Sequence, residues 1–346
     1  MGVGHWVAQH LLIPPLFIMK EQSLDKPTVE SGVKWFVIVN PISGSGRGLD
    51  HFPQISKLLR DNDIRCEAVF TEHKCHATEL TVFAVEQGYR HIIVVGGDGT
   101  LHEVVNGLFI QKRVAPSEVT VAVISVGTGN DWIRMYGIPT KYSAAVRAIK
   151  EGYTFLQDVA EVEYEESLYR QKRYMANVAG VGFDAAVIKR TLQSNAKGYL
   201  GAWGYMWCLV RTFFKHKSTG IKLWVDDRLV YNNLLFSIAI GVGRYNGGGI
   251  QQLPIAVADD GLLDLTLIRP VHWWNVVFRI RRLFNGSIYT IGHVMHAQGK
   301  KIRIESSPEI PLEVDGELLG ETPVTISVLH REVRVIVNKS FLDKIK

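Results

Sequence analysis

The sequence contains little cysteine, no large excess of positive or negative charge, and no long hydrophobic run. Its three cysteines in 346 residues, Cys66, Cys75 and Cys208, match no metal-ligand spacing and no disulfide framework, which favours a reduced, cytoplasmic compartment. The net charge of +5 excludes a nucleic-acid-binding tail but fits an anionic ligand or membrane surface. No apolar stretch reaches the roughly 20 residues of a bilayer-spanning helix.

Several familiar motifs are also missing. No Gly-x-x-x-x-Gly-Lys-Ser/Thr loop is present, which excludes a Walker-type NTPase. The run Gly44–Gly48 has the wrong spacing for Gly-x-Gly-x-x-Gly, and the absence of a His-Arg-Asp loop excludes a protein kinase. Residues 1–32 lack a basic leader, so they make a poor signal peptide and are interpreted as an N-terminal extension.

From residue 33 to about 155, short apolar strands alternate with helical patterns. This alternation predicts βαβ units and a parallel sheet that is buried on both faces. The predicted strands are Trp35–Val39, Cys66–Phe70, Ile92–Val95 and Val121–Val126. The predicted helices are Phe52–Asn62, Ala77–Gly88, Leu101–Phe109 and Tyr142–Gly152.

From residue 156 to about 324 the pattern is mostly strands, which predicts a largely antiparallel β domain with a hairpin turn at Val225–Leu229. Two helical patterns interrupt it, Gly198–Phe214 and Val271–Phe284. The predicted strands, including one beyond this range, are Val159–Tyr164, Tyr174–Val178, Ile221–Val225, Leu229–Ile240, Leu262–Ile268, Lys301–Glu305, Leu312–Val314, Val324–Val328 and Val333–Val337.

Four loops follow the first four predicted strands, and three of them are rich in glycine. The carboxyl ends of parallel strands meet at one edge of a sheet, where ligands bind. Glycine lets backbone N–H groups approach an anion, and a helix that begins near Leu101 adds partial positive charge. The loops are Asn40–Gly46, Thr71–His73, Gly96–Thr100 and Gly127–Asp131.

The polar side chains of these loops suit a nucleoside triphosphate with Mg²⁺. Thr100 and Thr128 offer hydroxyl groups to phosphate oxygens. Asp98 and Asp131 would repel a phosphate directly, but they fit a Mg²⁺ ion that lies between carboxylate and phosphate.

Together these motifs resemble the diacylglycerol kinase catalytic-domain family, which includes the sphingosine kinases, and most closely its soluble bacterial lipid-kinase branch. The resemblance covers roughly residues 33 to 340 in the order of the family. The matching segments are Asn40–Gly44, Gly96–Thr100, Gly127–Asp131, Asn177–Asp184, Asp259–Asp264 and Asp315–Glu317.

This resemblance implies an N-terminal α/β nucleotide-binding domain, a C-terminal antiparallel β-sandwich and an active site in the cleft between them. The ATP-binding domain would span residues 33–155, and residues 325–346 would return to it. Residues 156–324 would form the lipid-substrate domain. The implied activity is that of an ATP- and Mg²⁺-dependent lipid kinase.

The resemblance also implies the nucleotide contacts. His102 stands where asparagine is commoner in the family. The contacts carried over by position are Asn40, Pro41, Ile42, Ser43, Gly44, Thr71, Gly96, Gly97, Asp98, Gly99, Thr100, Leu101, His102 and Thr128.

The catalytic base is expected at Asp315 or Glu317, supported by a network of Asp98, water, Mg²⁺ and Asp131. Phosphorylation of an alcohol requires a carboxylate to orient or accept the hydroxyl proton. Both acids flank Gly316 after an apolar strand, so both could face the cleft. An ordinary Asp-Gly hairpin corner is the alternative, and the sequence does not separate the two candidates for the base.

A second, structural Mg²⁺ site is implied in the loop Ala256–Leu262. Its ligands would be the side chain of Asp260 and the main-chain carbonyl groups of Val257 and Leu262. Oxygen ligands with few charges suit a hard cation. The alternative is a plain Asp-Asp-Gly turn before the next strand.

The expected partners are a lipid alcohol and, through peripheral contact, an anionic membrane surface; a homodimer is allowed and nucleic acid is not expected. Basic and aromatic residues at Trp203–Lys215 and Trp273–Arg282 would form the membrane contact, although such aromatics are also common in cores.

Two rival functions are a relative of NAD kinase or phosphofructokinase and a catalytically inactive binding protein. The motifs Asn40–Gly44, Gly127–Asp131 and Asp315–Glu317 argue against the first, and the four acids of the site argue against the second.

Overall fold

The computed structural model describes residues 33–127, 129–166, 169–195, 211–272 and 281–345. Its strands are β1 (Lys34–Val39), β2 (Arg65–Phe70), β3 (His91–Gly96), β4 (Thr120–Ser125), β5 (Thr154–Glu166), β6 (Tyr169–Met175), β7 (Val178–Gly182), β8 (Thr219–Val225), β9 (Arg228–Leu235), β10 (Ser237–Gly241), β11 (Leu263–Ile268), β12 (Val294–Gly299), β13 (Lys301–Ser307), β14 (Pro311–Val314) and β15 (Glu317–Ile336). Its helices are α1 (Arg47–Asp61), α2 (His76–Glu86), α3 (Asp98–Ile110), α4 (Asp131–Met135), α5 (Tyr142–Glu151), α6 (Phe183–Asn195), α7 (Arg281–Phe284) and α8 (Lys339–Ile345).

The N-terminal domain is a parallel sheet with helices on both faces. Its strand order is β2-β1-β3-β4, and all three pairings are parallel. Along β1, Phe36 and Ile38 pack on the side of α2 and α3, whereas Val37 and Val39 pack on the side of α1 and α5. The strand is apolar throughout because both faces are covered. The four strands and four helices predicted for this half are confirmed, although α1 begins at Arg47 rather than at Phe52, and the short helix α4 was not predicted.

The C-terminal domain is a β-sandwich, as the sequence predicts. One layer has the order β12-β11-β10-β7-β14 and ends on the first residues of β15. The other layer contains β6, β5, the middle of β15, β13, β8 and β9. Inward-facing aliphatic residues of both layers, such as Leu265 and Val162, form its core.

Strands β5 and β15 run through both domains as one long antiparallel pair. Glu165 lies opposite Glu321 in the sandwich, and Thr154 lies opposite Ile336 at the other end. There β15 also pairs in parallel with β4. The segments Val324–Val328 and Val333–Val337, predicted as two strands, are therefore one strand. The division at residues 155 and 324 stays our proposal, since these strands continue past both positions.

Two predicted strands of the second half need correction, and two elements were missed. The strand predicted at Tyr174–Val178 is wrong, because the chain bends between β6 and β7 to present backbone N–H groups to Asp315. The strand predicted at Leu229–Ile240 is divided at Phe236, where the chain crosses from one layer to the other. Helix α6 and strand β12 were not predicted.

Other predictions for this half are confirmed or lie outside the described residues. The hairpin turn joins β8 to β9, with positive φ at Asp226 and Asp227. Most of the two predicted helical patterns, at residues 198–210 and 273–280, lies outside the described residues, as does Thr128. Within the described ranges, no helix has the length and apolar character needed to cross a bilayer.

Candidate active site

The carboxyl ends of β2, β1, β3 and β4 form one edge of the parallel sheet, and three of the four predicted loops meet there. The side-chain amide of Asn40 after β1 donates a hydrogen bond of 3.0 Å to Oγ1 of Thr100 in α3. The loops after β3 and β4 touch through backbone, because a Cβ atom at Gly127 would lie 2.8 Å from Cα of Gly97. The structure thus brings together the first, third and fourth loops, and Thr71 follows the neighbouring strand β2.

The glycines of this edge leave backbone N–H groups accessible at the start of α3. Gly44 has φ +64°, and a Cβ atom there would lie 2.0 Å from the carbonyl oxygen of Val126. A Cβ atom at Gly99, in contrast, would meet no atom within 4 Å. The first N–H groups of a helix have no partner within the helix and carry partial positive charge. The edge can therefore cradle the phosphates of a nucleotide.

Asp98 and Asp131 both accept hydrogen bonds from backbone N–H groups. Asp98 accepts from the N–H groups of Asp131 (3.1 Å) and Trp132 (3.2 Å). Asp131 accepts from those of Gly248 (2.7 Å) and Gly249 (2.6 Å). Asp131 therefore ties a glycine loop of the sandwich to the edge of the parallel sheet, a contact that we did not predict. The glycine run at residues 247–249 is the sequence signal that points to it.

The charges at this edge favour a cation. Burial raises the pKa of Asp98, and the negative charge of Asp315 raises it further. Burial likewise raises the pKa of Asp131, with a contribution from Asp98. Each carboxylate oxygen that accepts one hydrogen bond keeps acceptor capacity for a further ligand. This oxygen-only set of mutually repelling groups fits Mg²⁺.

The turn Asp315–Glu317 enters the same cleft from the sandwich, and the carboxylate of Asp315 is fully engaged. Its side chain is 3% exposed. Oδ1 accepts from the N–H groups of Asn177 and Val178, both at 3.0 Å. Oδ2 accepts from the N–H group of Ala176 at 2.8 Å and lies 3.0 Å from Nδ1 of His102. Asp315 therefore fixes the bend between β6 and β7.

Glu317 is placed differently. Its side chain is 20% exposed, and its Oε2 lies 3.4 Å from Nζ of Lys74, in the loop after β2. No other ion pair joins Glu317 to the described residues. Glu317 is thus the acid of this turn whose carboxylate remains accessible from the cleft.

His102 is buried and bonds to protein through both ring nitrogens. Nδ1 contacts Asp315, and Nε2 lies 3.3 Å from Nδ2 of Asn106. Asn106 also exchanges two hydrogen bonds with the backbone of Tyr174 in β6, at 2.9 and 3.0 Å. This pair joins α3 to the sandwich and leaves neither ring nitrogen of His102 for a nucleotide. We assigned His102 to the nucleotide contacts because of its position in the motif, and we therefore missed this structural role.

Beneath the turn, two further acids lie close together. Oε2 of Glu313 accepts from the N–H group of Gly316 at 3.0 Å, and Asp184 accepts from Oγ of Ser237 at 2.9 Å. Burial raises the pKa of Glu313 to about 8, and the charge of Asp184 contributes. Desolvation also raises the pKa of Asp184 to about 6. Glu313 therefore holds its proton at neutral pH and supports the turn Asp315–Glu317 as a neutral group.

This protonation predicts how stability depends on pH. The unfolded chain releases the Glu313 proton near pH 4.5 and the folded chain near pH 8, so stability falls as pH rises through this window. Glu313→Gln keeps an oxygen for Gly316 and removes the proton. Urea unfolding should show that the free energy of unfolding of Glu313→Gln falls less between about pH 6 and about pH 9 than that of the unmutated protein, by up to roughly 3 kcal/mol. The exposed Glu309→Gln is the control, and an unchanged slope in Glu313→Gln would contradict the assignment.

The loop expected to hold a structural metal has a suitable donor set. Oδ1 of Asp260 accepts from the N–H group of Leu262 at 2.9 Å, which leaves its second oxygen for a ligand. Burial raises the pKa of Asp260 to about 6, and the charge of Asp264 contributes. Asp264 is fully buried, and its Oδ2 has no hydrogen-bond partner among the described residues. A buried carboxylate oxygen that lacks a hydrogen-bond partner can serve as a ligand of a hard cation.

Comparison with known proteins agrees with this geometry. The chain matches the model of the diacylglycerol kinase catalytic domain over residues 34–162 and that of the YegS C-terminal NAD kinase beta sandwich-like domain over residues 177–337. It is 26% identical over 303 residues to a protein named "Diacylglycerol kinase" from Staphylococcus carnosus, covering 88% of this chain and 94% of the relative.

Two further similarities follow the same pattern. A protein from Pseudomonas syringae named "Probable lipid kinase YegS-like" is 29% identical over 244 residues, which is 70% of this chain and 74% of that protein. A crystal structure of a diacylglycerol kinase from Bacillus anthracis is 27% identical, with a TM-score of 0.71 over 89% of this chain and 98% of the other. Two adjoining domain models that together match residues 34–162 and 177–337, and relatives matched over most of their length, lead to one conclusion: the chain belongs to the diacylglycerol kinase catalytic-domain family of lipid kinases.

Proposed function

We propose that the chain transfers the γ-phosphate of ATP to the hydroxyl group of a lipid alcohol in a Mg²⁺-dependent reaction. The observation that carries this proposal is the convergence of the glycine-rich sheet edge and an accessible acid from the sandwich. Glu317 reaches the loop after β2, at 3.4 Å from Lys74. Among lipid alcohols, the names of the relatives favour diacylglycerol.

The roles follow from the contacts. The N–H groups at Gly97–Thr100 and the loop Asn40–Gly44 would hold the phosphates of the nucleotide. Asp98, with Asp131, would hold Mg²⁺, which neutralises charge on the transferred group when bound. Glu317 would accept the hydroxyl proton as the new O–P bond to the alcohol forms and the bond from the γ-phosphorus to the bridging oxygen of ATP breaks, which releases ADP. Asp315 would position the turn, because its carboxylate accepts three backbone N–H groups and contacts His102.

A radiolabelling experiment tests this proposal and identifies the alcohol. Purified protein, radiolabelled ATP and Mg²⁺ would be incubated with a total lipid extract, and the organic phase separated by chromatography. We expect one labelled lipid phosphate that disappears without Mg²⁺. Absence of label from every lipid would contradict a lipid kinase.

We also propose that the side chain of Asp260 and the carbonyl groups of Val257 and Leu262 bind a structural Mg²⁺. At a hundredfold excess over its Kd, a ligand stabilises the folded state by about 2.7 kcal/mol. Asp260→Ala is therefore expected to lower the Tm measured in Mg²⁺ and to abolish its dependence on Mg²⁺. The exposed Asp61→Ala is the control. A Tm and Mg²⁺ response in Asp260→Ala that match the unmutated protein would show that the loop holds no ion.

A further inference from the structure

An open cavity of about 370 Å³ lies in the sandwich domain, outside the active site. One wall is the face of α6 that carries Lys189 and Arg190; the other is the segment with Thr212, Lys215 and Lys217. The beginning of β14 closes the remaining side. Four basic side chains therefore converge on one space.

These four cations lack a carboxylate partner among the residues that the structure describes. In the described part of the chain, none of them forms an ion pair with a carboxylate. Basic residues elsewhere do pair: Lys34 lies 2.8 Å from Glu67, and Lys172 lies 2.9 Å from Glu161. Like charges around one cavity repel, so an anion that contacts several of them would relieve this repulsion.

The walls of the cavity are held in place without a ligand. Nη1 of Arg190 donates to Oγ1 of Thr212 at 3.4 Å, which joins the two walls. Nε2 of His216 lies 2.9 Å from the carbonyl oxygen of Phe236, and burial lowers the pKa of His216. The neutral His216 therefore donates to the protein and anchors the segment below the basic side chains. A site built in advance loses little entropy on binding.

The surroundings indicate a lipid phosphate. Phe214, directly before Lys215 of the second wall, is 68% exposed. The sequence before this wall, residues 198–210, contains no Lys, Arg, Asp or Glu. Exposed aromatic and basic residues side by side are typical of surfaces that bind anionic lipids. We propose that this cavity binds the phosphate of an anionic phospholipid headgroup and docks the protein on the membrane.

The position of the cavity suits this role. Strand β14 begins beside it at Pro311 and ends at Val314, directly before the turn Asp315–Glu317. The cavity and the turn are therefore separated by roughly 13 Å along the strand, at about 3.3 Å per residue. A headgroup bound in the cavity would hold the membrane surface beside the cleft. Only the choice of a lipid over a free phosphate rests on the proposed function.

Vesicle sedimentation without ATP tests this site independently of catalysis. The full chain would be mixed with phosphatidylcholine vesicles with and without phosphatidylglycerol. Lys189→Gln/Lys217→Gln is expected to weaken phosphatidylglycerol-dependent binding about thirty-fold, which is about 2 kcal/mol. Lys57→Gln/Lys112→Gln, which removes the same charge from exposed positions of the N-terminal domain, should change it little.

Two further arms separate the other outcomes. Phosphorylation of lipid in neutral detergent micelles should be equal in both double variants, so a loss of activity would be visible separately from a loss of docking. Inorganic phosphate would be titrated calorimetrically into the same proteins. Equal vesicle binding by both double variants would overturn the proposal. Phosphate binding that depends on Lys189 and Lys217, with unchanged vesicle binding, would overturn the lipid as ligand.

Discussion

Glu317→Gln is expected to lower kcat for lipid phosphorylation by about 10²- to 10⁴-fold with no change in Tm. A positioned general base contributes this range of rate enhancement. The glutamine side chain has the same size but accepts no proton from the alcohol. Glu317 is partly exposed, and Lys74 is its single ion-pair partner among the described residues. The fold should therefore not depend on the charge of Glu317.

The measurement is the initial rate of lipid phosphate formation at saturating ATP, with Tm from calorimetry. Glu321→Gln, an exposed acid on the same strand β15, is the matched control. The Glu321→Gln variant should keep kcat within about twofold, because an exposed substitution that touches no buried contact usually has a small effect. A Glu317→Gln protein with near-normal kcat would remove Glu317 from the role of base.

Asp315→Asn is expected to destabilise the protein by about 3 kcal/mol or more. The carboxylate accepts three backbone N–H groups and contacts His102. An amide keeps one oxygen and turns its NH₂ group towards at least one donor, which leaves buried groups unsatisfied. Asparagine tolerates the φ of +49° at this position, so backbone strain does not explain the loss.

Urea unfolding of Asp315→Asn measures this effect, and its kcat per folded molecule separates the two acids. Destabilisation with substantial kcat in the folded fraction would agree with a positioning role. Unchanged stability with complete loss of kcat would instead make Asp315 the base and Glu317 a bystander. The pair of variants therefore distinguishes two residues that the sequence alone leaves equivalent.

The sequence predicts well what depends on local pattern. Strands such as Ile92–Val95 are apolar throughout because helices cover both faces of the sheet. Glycine-rich loops after such strands then fall at one edge. The hairpin at Asp226 and Asp227 follows from residues that tolerate positive φ.

Sequence patterns do not predict features that depend on contacts between residues far apart in the chain. The end of β6 at Met175 depends on Asp315, which lies about 140 positions later in the chain and draws the N–H groups of residues 176–178 towards itself. The unequal burial of Asp315 and Glu317 has the same origin, since both flank one glycine and only tertiary contacts distinguish them. The loop at Gly248 and Gly249 contacts Asp131 across the cleft, which no short-range pattern reveals.

The central claim is that the acceptor is a lipid alcohol, and a competition experiment tests it directly. Radiolabelled ATP and Mg²⁺ would be given to the protein in a single mixture that contains diacylglycerol in detergent micelles and NAD. We expect the label in the organic phase as a lipid phosphate, with none in NADP, and transfer by Glu317→Gln that is slower by at least about 10²-fold. Label in water-soluble NADP, or only in inorganic phosphate, would contradict the account.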